Sequence, residues 1–441
     1  MMGRSRAVAT GVIGLASVRS LALVLALVAP AGEARADGAF PDSMALFLPA
    51  DRPHEILLAT NFGLLFSEDD GGTWHWVCEQ AIASLTSTYQ MGPPPHRLFG
   101  LSTEGLVFST DNACSWTQTG GGLAGAYVSD VFPDPIDPMR VLAIGSAPTD
   151  GGFSMLALFE SSDGGASFRG PTYTPPAPSW VLSGVEIALA NPSTEFLTAY
   201  DYLSNQPHPY LIQTDNGGQT WTTLDLAPSM GPKSVRLIGI DPVDMHKVYL
   251  RGLAANGDSL AIVQGQAVSV PLMLPAPMST FLRRSDGRLY VATRDSGAFV
   301  SSDGGQTFAP WPSAPHLRAL GERAGALYAV GDNFKDHFAV AVSTDDGATW
   351  RPLLRFDGIC GLVQCEHVQS VCAGPWQNLV TMFAIPANVC GQGGTGGTGG
   401  HGSGGGCGCT VGERAAAAVW PWLGLGVLAL LAIALARLIR G

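Results

Sequence analysis

One short pattern, Ser-x-Asp-x-Gly-x-Thr-Trp, recurs six times in the 441 residues and limits what the chain can fold into more than any other feature. It is cleanest at Ser67, Asp69, Gly71, Thr73 and Trp74. It returns at Ser109, Asp111, Ser115 and Trp116; at Ser161, Asp163, Gly165, Ser167 and Phe168; and at Thr214, Asn216, Gly218, Thr220 and Trp221. The last two copies are Ser301, Asp303, Gly305, Thr307 and Phe308, and Ser343, Asp345, Gly347, Thr349 and Trp350. The chemistry is that of a tight hairpin turn, in which a carboxylate or amide oxygen accepts from backbone N–H groups and glycine supplies a positive φ. The closing Trp or Phe starts the next strand and packs back over the turn. These residues are therefore expected to be structural.

Successive copies begin 42, 52, 53, 87 and 42 residues apart. The interval of 87 holds two units, so a seventh repeat without the pattern is expected between residues 233 and 272, with Gly265 making its hairpin. Upstream of several copies lies a Pro/Asp turn, as in Pro49–Pro53, Asp134–Pro138, Asn191-Pro192 and Asp241-Pro242. Each unit thus reads as four strands in about 45 residues, the size of one propeller blade. The expected units run 44–78, 83–120, 127–170, 181–226, 233–272, 277–311 and 315–356. A four-stranded blade has two apolar faces, and only a closed ring covers both faces of every blade.

The repeated residues resemble the Asp-box, or BNR, repeat of β-propellers, found in sialidases, sortilin-like Vps10 receptors, Ycf48-type photosystem II assembly factors and some glycanases. The resemblance implies an all-β fold, a seven-bladed β-propeller with Asp-box hairpins, and says little about activity. It also implies that the boxes lie on the face opposite the ligand site, so Asp69, Asp111, Asp163, Asp303 and Asp345 are not expected to be catalytic.

The ends of the chain read differently from its body. Arg4, Arg6 and Arg19, an apolar run from Leu21 to Ala29 and the Ala34-Arg35-Ala36 site make residues 1–36 a secretory signal peptide. Residues 415–436 are uncharged and mostly apolar, long enough for a single transmembrane helix, with Arg437 and Arg440 on the cytoplasmic side. Residues 391–406 are mostly glycine, with Thr, Ser, Gln and one His, and are expected to form a flexible linker. The tail 407–441, with Cys407 and Cys409 before the apolar run, resembles the myxobacterial C-terminal sorting signal. That resemblance implies processing and attachment at the cell surface. The body is expected to be exported and anchored at the cell surface or outer membrane, held to the membrane through the helix or the processed tail.

Six further cysteines fall in an oxidising setting, where pairing is the default. Cys78 and Cys114 are expected to pair with each other. Cys360, Cys365, Cys372 and Cys390 lie in a Cys-rich cap, 357–390, and are expected to make two disulfides, with Leu379–Ile385 as a strand against the ring. The formal net charge of −12, with only three lysines, argues against nucleic acid as a partner.

Catalytic motifs are sparse. The Arg-Ile-Pro motif of sialidases, a Gly-x-Ser-x-Gly elbow and His-Glu-x-x-His are all missing from the sequence. A glycoside hydrolase would need two converging carboxylates, about 5–9.5 Å apart, drawn from Asp201, Asp295 and Asp332. No metal site or cofactor is expected. Aromatic and polar groups on the loops opposite the boxes suit binding instead: Tyr173, Trp180, Asp201, Tyr202, His208, Asp295, Trp311 and His316. The favoured expectation is a non-enzymatic binding module for a protein, peptide or glycan. An extracellular glycosidase and a Ycf48-like assembly factor are the alternatives.

Overall fold

The computed structural model describes residues 40–82, 86–102, 104–148, 154–203 and 206–390. The expected signal peptide, glycine linker, Cys407, Cys409 and membrane helix lie outside them. Among the described residues no helix is long and apolar enough to cross a membrane.

Seven sheets follow one another along the chain, each built on four antiparallel strands that are consecutive in sequence. They are blades 1 to 7, spanning 43–78, 86–118, 128–173, 180–225, 234–273, 278–310 and 319–354. Blade 3 gains a short parallel strand, Gly120–Gly121, and blade 1 another, Gly361–Leu362. The boxless fifth unit is a complete blade, and Gly265 (φ 62°) turns its third strand into its fourth. The protein is an all-β, seven-bladed propeller. Every residue of the second strands Ile56–Thr60, Leu98–Ser102 and Leu289–Thr293 is buried. These strands are covered on both faces by neighbouring blades, which is why they read as unbroken apolar runs rather than alternating ones.

Consecutive antiparallel strands send alternate turns to opposite sides of the ring. The boxes and the Pro/Asp turns therefore share one side, and the loops between strands two and three, with the blade-to-blade loops, share the other. The two kinds of turn on the box side are tied together within blades 1, 3, 4 and 5: Asp70 N donates to His54 O, Gly164 N to Met139 O, Gly217 N to Ser193 O and Gly265 N to His246 O.

In the first box, Asp69 Oδ1 accepts from Ser67 Oγ at 2.9 Å and Thr73 N at 2.8 Å, and its Oδ2 accepts from Thr73 Oγ1 at 2.9 Å. Gly71 N donates to Ser67 Oγ. The same bonds recur at Asp111, Asp163, Asp303 and Asp345. Asn216 reproduces them with its amide, which also donates to Thr220 Oγ1. The glycine position of the box also receives the preceding blade, since Gly165 faces Phe99 of blade 2 and Gly305 faces Ile262 of blade 5. The closing aromatics Trp74, Trp116, Phe168, Trp221, Phe308 and Trp350 all join apolar packing in or around the blade cores.

Blades 7 and 1 each keep four consecutive strands of their own, and the ring closes between them through hydrogen bonds. Trp74 Nε1 donates to Leu353 O, Arg323 Nη1 to Glu55 O, and Arg318 Nε to both oxygens of Asp42. The segment after blade 7 then continues past the seam as a strap. Gly361–Leu362 pairs in parallel with the outer strand of blade 1, His75–Cys78, and a helix over Glu366–Phe383 follows.

The strap corrects two expectations. Cys78 and Cys114 do not pair with each other; Cys78 bonds Cys372 and Cys114 bonds Cys365, so only Cys360 and Cys390 pair within the strap. Nor do residues 379–385 form a strand, because Val368, Cys372, Leu379 and Phe383 are the buried stripe of the helix. Three disulfides fit an oxidising, extracytoplasmic compartment.

Candidate functional site

The loop face gathers charge over blades 6, 7 and 1. Arg318, 5% exposed at its side chain, is the centre. Its Nε donates to Asp42, its Nη2 to Asp332 Oδ2 at 2.9 Å, and its Nη1 to the carbonyls of Arg294 and His316. Asp332 Oδ1 caps the following turn by accepting from Phe334 N and Lys335 N. Asp336 closes the same turn, accepting from Asp332 N at 2.8 Å and pairing with His316 Nδ1 at 2.7 Å. Lys335 Nζ reaches Asp295 Oδ1 at 2.7 Å and Asp332 Oδ2 at 3.9 Å. The turn 332–336 is thus held from several sides, which presents Phe334 on a rigid base.

Phe334 is 44% exposed and lies against Phe40, 69% exposed, with ring centroids 4.7 Å apart. The aromatic contact continues inward through Phe356 to Phe383 and Phe62, and from Phe62 to Trp76. A cavity of about 220 Å³ opens beside Phe334, lined also by His337, Arg355 and the exposed Met382 of the strap helix. Sequence reasoning missed this row of aromatics. Phe40, Phe62, Phe334, Phe356 and Phe383 come from five separate segments, and only ring closure with the folding back of the strap joins them.

The expected site residues divide into groups. Asp295 and His316 belong to the charged cluster, with Asp332. Trp180, His208 and Tyr210 stack on blade 4, at centroid distances of 4.0 Å for Trp180–Tyr210 and 4.8 Å for His208–Tyr210. His208 Nε2 also pairs with Asp225. Tyr173 packs on Trp221, and Tyr202 stands exposed, edge-on to Tyr200. Asp201 spends one carboxylate oxygen on Leu203 N in its own loop. Trp311 is a correction: it is 8% exposed and packed with Tyr290, Trp350 and the Gly347 turn, so it serves the joint between blades 6 and 7.

Of the three carboxylates considered for hydrolysis, Asp295 and Asp332 meet at Lys335, and no hydrogen bond or ion pair among the described residues joins Asp201 to either. The hydrogen bond from Lys335 holds the Asp295 carboxyl below the usual carboxylate range. It is an anion at neutral pH, suited to ion pairing and not to donating a proton. Among the described residues no cluster of His, Cys, Asp and Glu has the arrangement to hold a metal ion.

No protein-family model matches the chain, and no curated protein matches it by sequence. Solved propellers are similar to it at low identity. Ycf48 from Cyanidioschyzon merolae is 13% identical, with a TM-score of 0.43, over 68% of this chain and 94% of that one. The GH74 xyloglucanase from Xanthomonas campestris is 16% identical, with a TM-score of 0.37, over 70% of this chain. The chain spans only 57% of that enzyme. A PL25 ulvan lyase is 11% identical, with a TM-score of 0.42, over 70% of this chain and 93% of that one. These likenesses include enzymes and a non-enzyme and speak to the fold alone.

Proposed function

We propose that this protein is an exported, surface-anchored propeller without enzymatic activity, which binds a protein or peptide partner on the loop face over blades 6, 7 and 1. The observation that carries the reading is the exposed Phe40–Phe334 pair seated on the Arg318-braced turn, with Lys335 and Asp295 at its rim. An aromatic anchor on a rigid base inside a charged rim is the anatomy of a protein interface. The low carboxyl of Asp295 and the ion-paired state of Asp332 weigh against a glycosidase, which needs one carboxyl held protonated.

The test is to probe peptide and glycan arrays with the purified full chain while assaying released reducing sugar. Peptide binding that Phe334→Ser weakens about tenfold or more, with an unchanged melting temperature, supports the reading. Sugar release that disappears in Asp295→Asn or Asp201→Asn overturns it in favour of a hydrolase. Glycan binding without turnover, insensitive to Phe334→Ser, overturns it in favour of a lectin.

A further inference from the structure

The innermost strands of the blades carry a second repeat. In blades 1 to 6 the pairing of the first strand with the second slips by one residue, at Met44, Ser87, Ser129, Ser183, Ile238 and Ser279. Counting from that bulge places equivalent residues of neighbouring blades at one height. The residue just after the bulge is Ala45, Thr88, Gly184, Gly239 or Thr280 in five of these blades. In blade 3 it is Asp130. Three positions after the bulge stand Gln90, Phe132 and Glu186 in blades 2, 3 and 4, and all three line one cavity of about 260 Å³ between the inner strands of blades 2 to 6. Arg236 of blade 5 and Ser279 of blade 6 complete its polar wall.

The bonding of these groups is uneven. Asp130 accepts from Val131 N and, across the blade boundary, from Val185 N, so its position is fixed by the backbone. Arg236 is 46% exposed at its side chain, and its ion pair to Asp130 is long, at 3.8 Å. No hydrogen bond to its guanidinium is found among the described residues. Arg251, also on the wall, is by contrast held by Asp258 at 2.6 Å. Glu186 is half-buried and faces Asp130; its one bonding partner among the described residues is the backbone of Ile240. Burial and then the Asp130 charge push the Glu186 carboxyl up to about 8, while burial raises Asp130 to about 6 against the pull of Arg236. The other charges on the strands packed around Glu186 are already matched, Arg251 with Asp258 and Asp241 with Arg283.

We infer that this cavity in the propeller channel is a binding site for a small zwitterion of amino-acid size, its carboxylate on the free fork of Arg236 and its ammonium between Asp130 and Glu186. A guanidinium offers a carboxylate two parallel hydrogen bonds, and a carboxyl–carboxylate pair offers an ammonium a place from which it displaces a proton. A ligand with both charges leaves no charged group in the cavity unpaired. A ligand with one charge leaves either the guanidinium or the acid pair unmatched in a partly desolvated site.

The test is isothermal titration of the purified full chain with glycine, L-alanine and γ-aminobutyrate, beside methylammonium chloride and sodium acetate as probes of one charge each. At least one zwitterion is expected to bind about tenfold or more tightly than either single-charge probe. Binding near pH 7 should release a proton, read from the buffer dependence of the heat, and Glu186→Gln should abolish that release. Arg236→Gln should weaken binding about tenfold or more, and Arg236→Lys, which keeps the charge and loses the fork, should weaken it less. No binding by any of the three zwitterions up to about 10 mM overturns the inference. So does equal binding of acetate or methylammonium, or unchanged affinity in Arg236→Gln.

Discussion

At the scale of single residues, the glycines of the box turns are not equivalent, whether at the box position, as Gly165, or one residue before it, as Gly217. Gly165 has φ 86° and faces the Phe99 ring, whereas Gly217 has φ 64° and nothing within 4 Å of where a Cβ would stand. Gly217→Ala therefore costs only the left-handed backbone strain, about 1 kcal/mol. Gly165→Ala adds a steric clash at the joint between blades 2 and 3, for about 2–4 kcal/mol in all, and urea denaturation of the two variants separates them. The carboxyls carry a pH signature of both signs. Hydrogen bonds from Thr349 and Ser343 hold Asp345 down to about 2, and at Asp163 the turn's bonds outweigh burial to give about 2. These groups bind protons more readily unfolded, so they stabilise the fold above about pH 4 and lose that contribution as pH falls toward 2. Glu186 has the opposite sign. Its raised carboxyl favours the folded state below about pH 4.5, and this is lost as pH rises toward 8. The melting temperature is expected to fall on both sides of about pH 5, and Glu186→Gln should reduce the alkaline slope, leaving the share of Asp130, itself raised to about 6, with the acid side unchanged. The box acids were legible as structural from their spacing. Glu186 was not, because nothing in the sequence around Val185 and Ile187 says that the channel, and not a blade interface, lies on its side of the strand.

At the scale of elements, the box is a joint between blades as much as a turn within one. Trp74 Nε1 donates both to Gly71 O in its own box and to Leu353 O across the seam. Trp74→Phe keeps the ring and loses both bonds, leaving a carbonyl of blade 7 unmatched. A loss of about 1–3 kcal/mol in chemical denaturation is expected. Blade 5 shows what the pattern adds: Gly265 turns the chain without a capping carboxylate, and one link to blade 6 is made by Lys247 Nζ donating to Gly304 O. Blade limits came within a few residues of those expected, since they follow from turn chemistry that repeats. The strap helix has no repeat to announce it. Its four cysteines and missing box read as a disulfide-bonded cap with a strand over 379–385, although Val368, Cys372, Leu379 and Phe383 keep a helical spacing that marks the buried side. Cysteine partners were beyond reach for a different reason, because pairing depends on where the strap crosses the ring and not on proximity in sequence.

At the scale of the whole molecule, closure is reinforced by two long-range disulfides that fasten the strap to blades 1 and 2. Cys78–Cys372 spans 294 residues and Cys114–Cys365 spans 251, so each restrains nearly the entire ring in the unfolded chain. The paired substitution Cys78→Ser with Cys372→Ser is expected to cost about 2–5 kcal/mol. Cys360→Ser with Cys390→Ser, which releases a loop of only 30 residues, is expected to cost less in the same denaturation experiment.

The strap also decides how the propeller bears a mechanical load. A pull on chain leaving Cys390 passes through the Cys360–Cys390 bond and then, by covalent links at Cys365 and Cys372, into blades 1 and 2. Blade 7, which precedes the strap in sequence and would otherwise be the first to peel, is bypassed. Under tension at its C-terminal end, the oxidised protein behaves as a shackled ring, and only reduction turns it back into a chain that unzips one sheet at a time.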